Sequence, residues 1–396
     1  MIPYGKHAIG QAEIDAAVDV LANRWLTQGE MVPEFEQAMV GRLGCQYASA
    51  VSNGTAGLHL VCLALGLDQS DTLWLPANTF VATANCARYC QAQVDFVDIE
   101  MTTGNISLPA LAKKFAQAKA NQCLPKVLVV VHYAGTPCDM PALAKLCSDY
   151  QCLLVEDACH AVGAEYLGEN QLSSDRSEEP WLPVGRCQHS VATVFSFHPV
   201  KVMTTGEGGM VLSNDKQLHE TIQSLRNHGI DKPVNARGNQ WHFDQQSLGF
   251  NYRLTDIQAA IGVAQMQRLD EFLDRRRELA NRYDDWFDVH GIDRLQPGPG
   301  ERSSFHLYPI LIPKELVDSK PELFLAFREK GIGVNVHYQP VYLHSYYRSL
   351  GFEPGLCPQA ELFYQRQLSL PMFPGLTAQE QFHVQSSTLE ILESFL

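Results

Sequence analysis

The sequence predicts an α/β protein, an open and mainly parallel sheet covered by helices on both faces, with a smaller α+β unit behind it. Three observations predict it. Short β-branched runs alternate with helical patterns from about residue 48 to residue 213. The run Lys126–His132 (KVLVVVH) is apolar almost throughout, as a strand covered on both faces requires. Pro297-Gly298-Pro299-Gly300 then breaks the chain before a second, shorter alternation.

Residues 1–45 read as helical pieces, with Phe35, Met39 and Leu43 at helical spacing after Pro33. Ala48–Ser52 reads as a strand, and Gly54-Thr55 opens an apolar helix reaching Leu65. Leu73–Leu75 is a strand, Thr79–Tyr89 a helix and Val94–Val97 a strand. Ser107 is placed to cap a helix whose Leu108, Leu111 and Phe115 share one face. Asp139 is placed to cap the helix 141–149, with Pro141 in its first turn. Cys152–Glu156, Val191–Phe195 and Met210–Ser213 complete the strands, joined by right-handed crossovers. The polar, acidic stretch 169–183 within 165–188 interrupts the rhythm and reads as a surface loop or insertion. One long helix is expected over 255–289. Beyond it come a strand at 305–312, a helix at 320–330, a strand at 332–336 and a last helix with a Thr377/Glu380 capping box. The domain expectation is therefore 1–254, a connecting helix 255–289, and 290–396.

Bulk properties narrow the function. A net charge of −14 disfavours nonspecific nucleic-acid binding, which needs clustered Lys and Arg. It leaves room for an anionic small molecule, which feels the local field of a site. The 11 cysteines are odd in number, contain no CxxC pair and are scattered through apolar segments. They suit buried free thiols in a reducing compartment, and Cys86 and Cys90 read as packing, with no metal site expected. The opening MIPYG lacks a basic start and an apolar stretch, and no apolar run approaches ~18 residues. The expectation is a cytoplasmic protein without membrane partners.

Several short segments could carry chemistry. Lys201 follows Phe195-Ser196-Phe197-His198-Pro199-Val200 and precedes TTGEGG (204–209). A lysine can attack a carbonyl and later act as a base on the same adduct. Alone, it also reads as a surface charge. Ser52-Asn53-Gly54-Thr55 sits where a strand opens into a helix, whose free N–H groups bind anions. It reads equally as a tight turn with a capping threonine. Glu156-Asp157-Ala158-Cys159-His160 lies at the C-terminal edge of a strand, where open α/β sheets bind ligands. A buried carboxylate there needs a partner, and a protonated ring nitrogen would serve, although Asp157 could be an ordinary helix cap. Asn251 and Arg253 could be a cap and a surface charge, and Arg226-Asn227-His228-Gly229 a helix stop. A phosphate cradle, an acid for a ring nitrogen and an imine-forming lysine, in that order on an α/β sheet, together match the needs of pyridoxal phosphate.

With these residues in view, the chain resembles the fold-type I aminotransferases of the DegT/DnrJ/EryC1/StrS family, over essentially its whole length. The most specific segments are SNGTAGLHL (52–60), EDACHA (156–161), FSFHPVK with TTGEGG (195–209) and GFNYR (249–253). The resemblance implies a large, mixed, mostly parallel seven-stranded sheet with a smaller C-terminal domain. It implies pyridoxal 5'-phosphate held by a Schiff base to Lys201, the acid/base of the reaction. Asp157 would pair with the pyridine nitrogen, His160 would lie near the ring, and Phe80 would stack on it. Gly54, Thr55 and Ser196 would hold the phosphate, and Asn251 would reach the phosphate of a neighbouring subunit in a homodimer with shared sites. His228, His337 and Tyr338 would contact substrate. IPYG (2–5), NRWLTQG (23–29), PANTFVATANCA (76–87) and NVHYQPVY (335–342) look most like the branch that aminates a UDP-linked 4-keto-6-deoxy-N-acetylhexosamine, with L-glutamate as donor, on the way to pseudaminic acid. The rivals are an aminotransferase for another UDP- or dTDP-keto-sugar and a non-catalytic binding protein on the same fold. Some relatives are dehydratases that replace the lysine, and Lys201 argues against that chemistry.

Overall fold

The structure is a computed structural model that describes residues 1–168, 181–231 and 243–396. Two helices open it, α1 (Gln11–Asn23) and α2 (Met31–Leu43), and Phe35, Met39 and Leu43 are buried as their spacing required. The alternating region follows as β1 (Tyr47–Val51), α3 (Gly54–Ala64), β2 (Thr72–Pro76), α4 (Ala82–Tyr89), β3 (Gln93–Val97), α5 (Leu108–Ala120), β4 (Val127–Val131), α6 (Met140–Asp149) and β5 (Leu153–Asp157). Ser107 and Asp139 cap α5 and α6, accepting from the backbone N–H of Ala110 and Ala142. At α3 the cap is Asn53, whose side chain accepts from Ala56 N at 2.8 Å, and not Thr55.

The interruption at 165–188 is not loop throughout. β6 (Glu165–Leu167) and β7 (Trp181–Pro183) pair antiparallel at its flanks. Most of the acidic stretch 169–183 lies outside the described residues. The chain continues with β8 (Ala192–Ser196), β9 (Gly209–Ser213), α7 (Lys216–Leu225) and a two-residue ribbon of β10 (Ile230–Asp231) and β11 (Asp244–Gln245). The long helix expected over 255–289 is two helices, α8 (Asp256–Gln267) and α9 (Leu269–His290). They part at Arg268, whose backbone leaves helical angles (φ −105°, ψ 2°) while its guanidinium pairs with Glu13 of α1 and Glu271. Both helices bury an apolar face, so a one-residue break leaves the hydrophobic rhythm almost untouched.

The smaller unit contains β12 (Asp293–Arg294), β13 (Glu301–Arg302), β14 (Tyr308–Leu311), α10 (Lys320–Glu329), α11 (Ser345–Arg348), α12 (Pro358–Arg366), β15 (Gln367–Leu370) and α13 (Ala378–Phe395). β13 adds to β6, whereas β14 lies between β12 and β15. The strand expected at 332–336 is irregular backbone with single bridges, Ile332 to Ile2 and Asn335 to Ser369. β15 takes the place by β14 and follows α12 with no breaker residue to announce it. The Thr377/Glu380 capping box is present.

The main sheet has seven strands in the order β1-β9-β8-β5-β4-β2-β3, with β9 antiparallel to both its neighbours. Successive side chains point to opposite faces of a strand. Leu128 and Val130 of β4 accordingly join the core beneath α1, α2 and α8, and Val127 and Val129 join the core beneath α3 and α4. Each fully buried Val or Leu contributes about 1.5–3 kcal/mol relative to exposure. A third core, with Tyr283, Phe287, Ile310 and Phe327, holds the smaller unit together. The N-terminus joins that unit, because Ile2 N donates to Gly331 O and Gly333 N to Ile2 O, both at 2.7 Å. Among the described residues no helix is long and apolar enough to cross a membrane.

Candidate active site

The C-terminal ends of β4, β5 and β8 and the N-terminus of α3 meet at a cavity of about 750 Å3. Open α/β sheets bind ligands at this edge. Asn53, Gly54, Thr55 and Ser196 form one wall. A helix start leaves its first N–H groups without intrahelical partners, and here Gly54 and Thr55 carry them. The backbone is drawn in tightly. A Cβ on Gly54 would lie 3.0 Å from both Cys159 Sγ and Ser196 Cβ, and one on Gly209 would lie 2.6 Å from the carbonyl carbon of Asn53. Glycine at both positions brings α3 against the ends of β8 and β9, leaving a concave nest of donors that suits a phosphate.

Asp157 ends β5 and is buried. Its Oδ1 accepts from Cys159 N at 3.2 Å and its Oδ2 from Thr83 Oγ1 at 2.7 Å. Thr83 Oγ1 lies 2.8 Å from Thr79 Oγ1. One residue back on the opposite face, Glu156 is fully buried and accepts from His132 Nε2 and Thr193 Oγ1, both at 2.8 Å, and from Ser190. Burial opposes its charge, but the bonds from His132, Ser190 and Thr193 outweigh that and hold its carboxyl below the usual range. Cys138 N donates to His132 Nδ1 at 3.0 Å, so the imidazole proton sits on Nε2 and points at Glu156.

Lys201 lies in the hairpin between β8 and β9. Phe197 N donates to Gly208 O and Thr205 N to Phe197 O, while Thr204 N reaches Gln265 Oε1 of α8 at 3.1 Å. Burial lowers the ammonium pKa of Lys201, against the pull of Cys159 and Asp157. No hydrogen bond or ion pair holds its Nζ among the described residues. The amine is thus held in the cavity and unengaged, as a nucleophile must be.

His160 Nε2 lies 3.1 Å from the hydroxyl of Tyr338, and its buried Nδ1 has no partner among the described residues. The ring of His306 packs against it with centroids 4.5 Å apart. His337 is bonded through Nδ1 to Ser369 Oγ at 2.8 Å. Burial, reinforced by Lys201, pushes all three histidines down, His337 to about 3, so each is neutral near pH 7. The smaller unit supplies this wall, and Tyr338 N donates to Asn78 Oδ1 at 2.9 Å to lock it to the sheet.

Of the expected residues, the cavity gathers Gly54, Thr55, Phe80, Asp157, His160, Ser196, Lys201, His337 and Tyr338. Phe80 is 56% exposed at its mouth. His228 and Asn251 do not line it. They lie together just beyond the C-terminal end of α7, where His228 N donates to Phe250 O and Asn251 bridges Asn227. Sequence reasoning missed Thr79, Thr83 and Tyr4. The threonines stand four apart inside PANTFVATANCA, a helical spacing that could have paired them. Tyr4 comes from the opening IPYG, and nothing in the sequence signals its return across the whole chain.

A buried amine, a buried carboxylate and a concave nest of N–H donors on this sheet are those of a pyridoxal-phosphate enzyme of fold type I. The profile of the DegT/DnrJ/EryC1/StrS aminotransferase family matches residues 7–388, and the chain belongs to that family. It is 36% identical over 394 residues to the UDP-4-amino-4,6-dideoxy-N-acetyl-beta-L-altrosamine transaminase of Campylobacter jejuni (strain 81-176), covering 99% of this chain and 98% of the relative. Helicobacter pylori PseC, an aminotransferase involved in the biosynthesis of pseudaminic acid, superposes with a TM-score of 0.87 at 30% identity, over 99% of each chain. Spr1654 of Streptococcus pneumoniae, solved in a PLP form, superposes at 0.89 with 26% identity over 100% of this chain and 99% of its own. The protein is an aminotransferase, and its cofactor is pyridoxal phosphate. The glycine-lined cradle, the unengaged amine and the orphaned His160 Nδ1 fit that group.

Proposed function

We propose that the protein moves an amino group from L-glutamate to C4 of a UDP-linked 4-keto sugar, UDP-2-acetamido-2,6-dideoxy-β-L-arabino-hex-4-ulose, in pseudaminic acid biosynthesis. The observation that carries this reading is the convergence of Lys201, Asp157 and the Gly54/Thr55/Ser196 cradle in one cavity, within a chain 36% identical to the Campylobacter transaminase. The cavity, about 750 Å3, has room beyond a cofactor for a sugar.

When bound, the cofactor supplies an electron sink for the carbon that loses its proton. The N–H groups of Gly54 and Thr55 and the Ser196 hydroxyl would hold its phosphate. Asp157 would hold its ring nitrogen, and Phe80 would cover its face. Lys201 Nζ would hold the cofactor covalently and, once displaced by an amino donor, would take and return the proton at the substrate carbon. Burial favours the neutral amine that this base role needs, and such acid–base steps contribute roughly 10²–10⁴-fold. His160, kept neutral, offers its Nδ1 without charge, whereas both ring nitrogens of His337 are engaged, by Ser369 and Asn335. Asn251 is exposed and off its own chain's cavity, which supports a homodimer in which it serves the partner's cofactor.

The test is product analysis by NMR after incubation with glutamate and a panel of UDP- and dTDP-4-keto-sugars, including the L-arabino and D-xylo epimers. Amination of the L-arabino substrate alone is expected. Preference for another keto-sugar would move the protein to a different branch of the same chemistry.

A further inference from the structure

We propose that Thr83, backed by Thr79, is the positioning residue that fixes the Asp157 carboxylate for the cofactor's ring nitrogen. The inference rests on the role given to Asp157 above and adds the device that aims it.

The polarity of this relay follows from hydrogen counting. A carboxylate only accepts, so the Thr83 hydroxyl donates to Asp157 Oδ2 at 2.7 Å. Its oxygen is then free to accept, and the proton between the two threonines, 2.8 Å apart, comes from Thr79. The second carboxylate oxygen, Oδ1, takes the backbone N–H of Cys159 at 3.2 Å. Both oxygens are therefore tethered, and rotation of the carboxylate breaks at least one bond. Thr83 is fully buried and Thr79 nearly so, which limits water's access to the pair.

The placement is specific. α4 follows β2, and Thr83 reaches past the end of β4 to the carboxylate on β5. Thr79 lines the cavity itself, next to the exposed ring of Phe80. One turn of chain thus offers a ring-covering side chain at 80 and the carboxylate's support at 79 and 83. The titratable groups that interact with Asp157 are Lys201, Cys159 and Tyr338, and of these the Cys159 thiol also reaches the carboxylate by a side-chain hydrogen bond.

The experiment compares holoenzyme, Thr83→Val and Thr83→Ser. Cofactor affinity is read by equilibrium dialysis, and the visible absorption of the Lys201-bound cofactor is titrated with pH. Valine keeps the shape and removes the donor. The expected result is an affinity loss on the order of tenfold, as one hydrogen bond to a charged acceptor gives. The absorption midpoint moves up by about one unit, because a weakly held ring nitrogen carries less positive charge to oppose protonation at Lys201. Serine restores both. Wild-type affinity and midpoint in Thr83→Val overturn the proposal, and so does a serine variant as impaired as the valine one, since that marks a packing role. Should valine at 83 prevent folding, Thr79→Val decides: a smaller shift in the same direction supports the relay, and no shift overturns it. Asp157→Asn separates the two layers. If it leaves the midpoint unmoved, the role of Asp157 fails; if it moves the midpoint and Thr83→Val does not, only the role of Thr83 fails.

Discussion

Acid should weaken this protein through His337, and the size of the effect follows from the ring's surroundings. The Asn335 amide approaches Nε2 at 3.3 Å and Ser369 Oγ approaches Nδ1 at 2.8 Å. The Ser369 hydroxyl also takes the Gln367 amide at 2.6 Å. The imidazole proton therefore sits on Nδ1, and a second proton on Nε2 would face an amide donor. Burial and the nearby Lys201 hold the folded-state pKa at about 3, against 6.5 for an ordinary histidine. Because the folded value is depressed, the unfolded chain binds the extra proton, and stability is lost as pH falls below 6.5. Between pH 7.5 and 5.5 the folding equilibrium weakens about tenfold from this residue alone, about 1–2 kcal/mol. Urea unfolding of wild type and His337→Gln at the two pH values, at equal cofactor loading, isolates it. The variant should be weaker at both, having lost the Ser369 bond, yet lose about 1–2 kcal/mol less on acidification. Contributions from His160 and His306 are common to both proteins and cancel. Equal losses in the two proteins would refute the reasoning.

Two further substitutions test the cradle and the lysine loop. Gly209→Ala places a Cβ 2.6 Å from the carbonyl carbon of Asn53 and 2.7 Å from Gly54 N, backbone atoms that cannot swing aside. Overpacking of this kind costs about 1–3 kcal/mol, and thermal melts together with cofactor content should both fall. Gln265→Leu removes the acceptor for Thr204 N and the amide that donates to Ala8 O and Glu13, leaving buried groups unpartnered. The expected cost is about 1–3 kcal/mol by urea unfolding, with slower turnover because the segment carrying Lys201 is less firmly held.

Much of the main sheet could be read in the chain because its strands are buried on both faces and punctuated by caps. KVLVVVH at 126–132, Ser107 and Asp139 each announced their element. The breaks that hid are those without a chemical signature. Arg268 interrupts α8 and α9 while the apolar stripe runs on, and β15 follows α12 with no turn residue between them. β6 and β7 are three residues each, too short for a period to show. In the cavity, the residues that bear reactive groups stood out, since lysine and aspartate are rare in apolar strand ends. Thr79 and Thr83 did not, because threonine in a helix usually signals nothing. Tyr4 and His306 depend on contacts across hundreds of residues, which no local pattern encodes.

The covalent attachment at Lys201 is the most direct test of the whole account. Purified protein is reduced with borohydride, digested and mapped by mass spectrometry, with Lys201→Ala treated in parallel. The account predicts a reduced pyridoxyl adduct on the peptide containing Lys201, and no adduct or turnover in the variant. An adduct on a different lysine, or transamination that survives in Lys201→Ala without added amine, would contradict it.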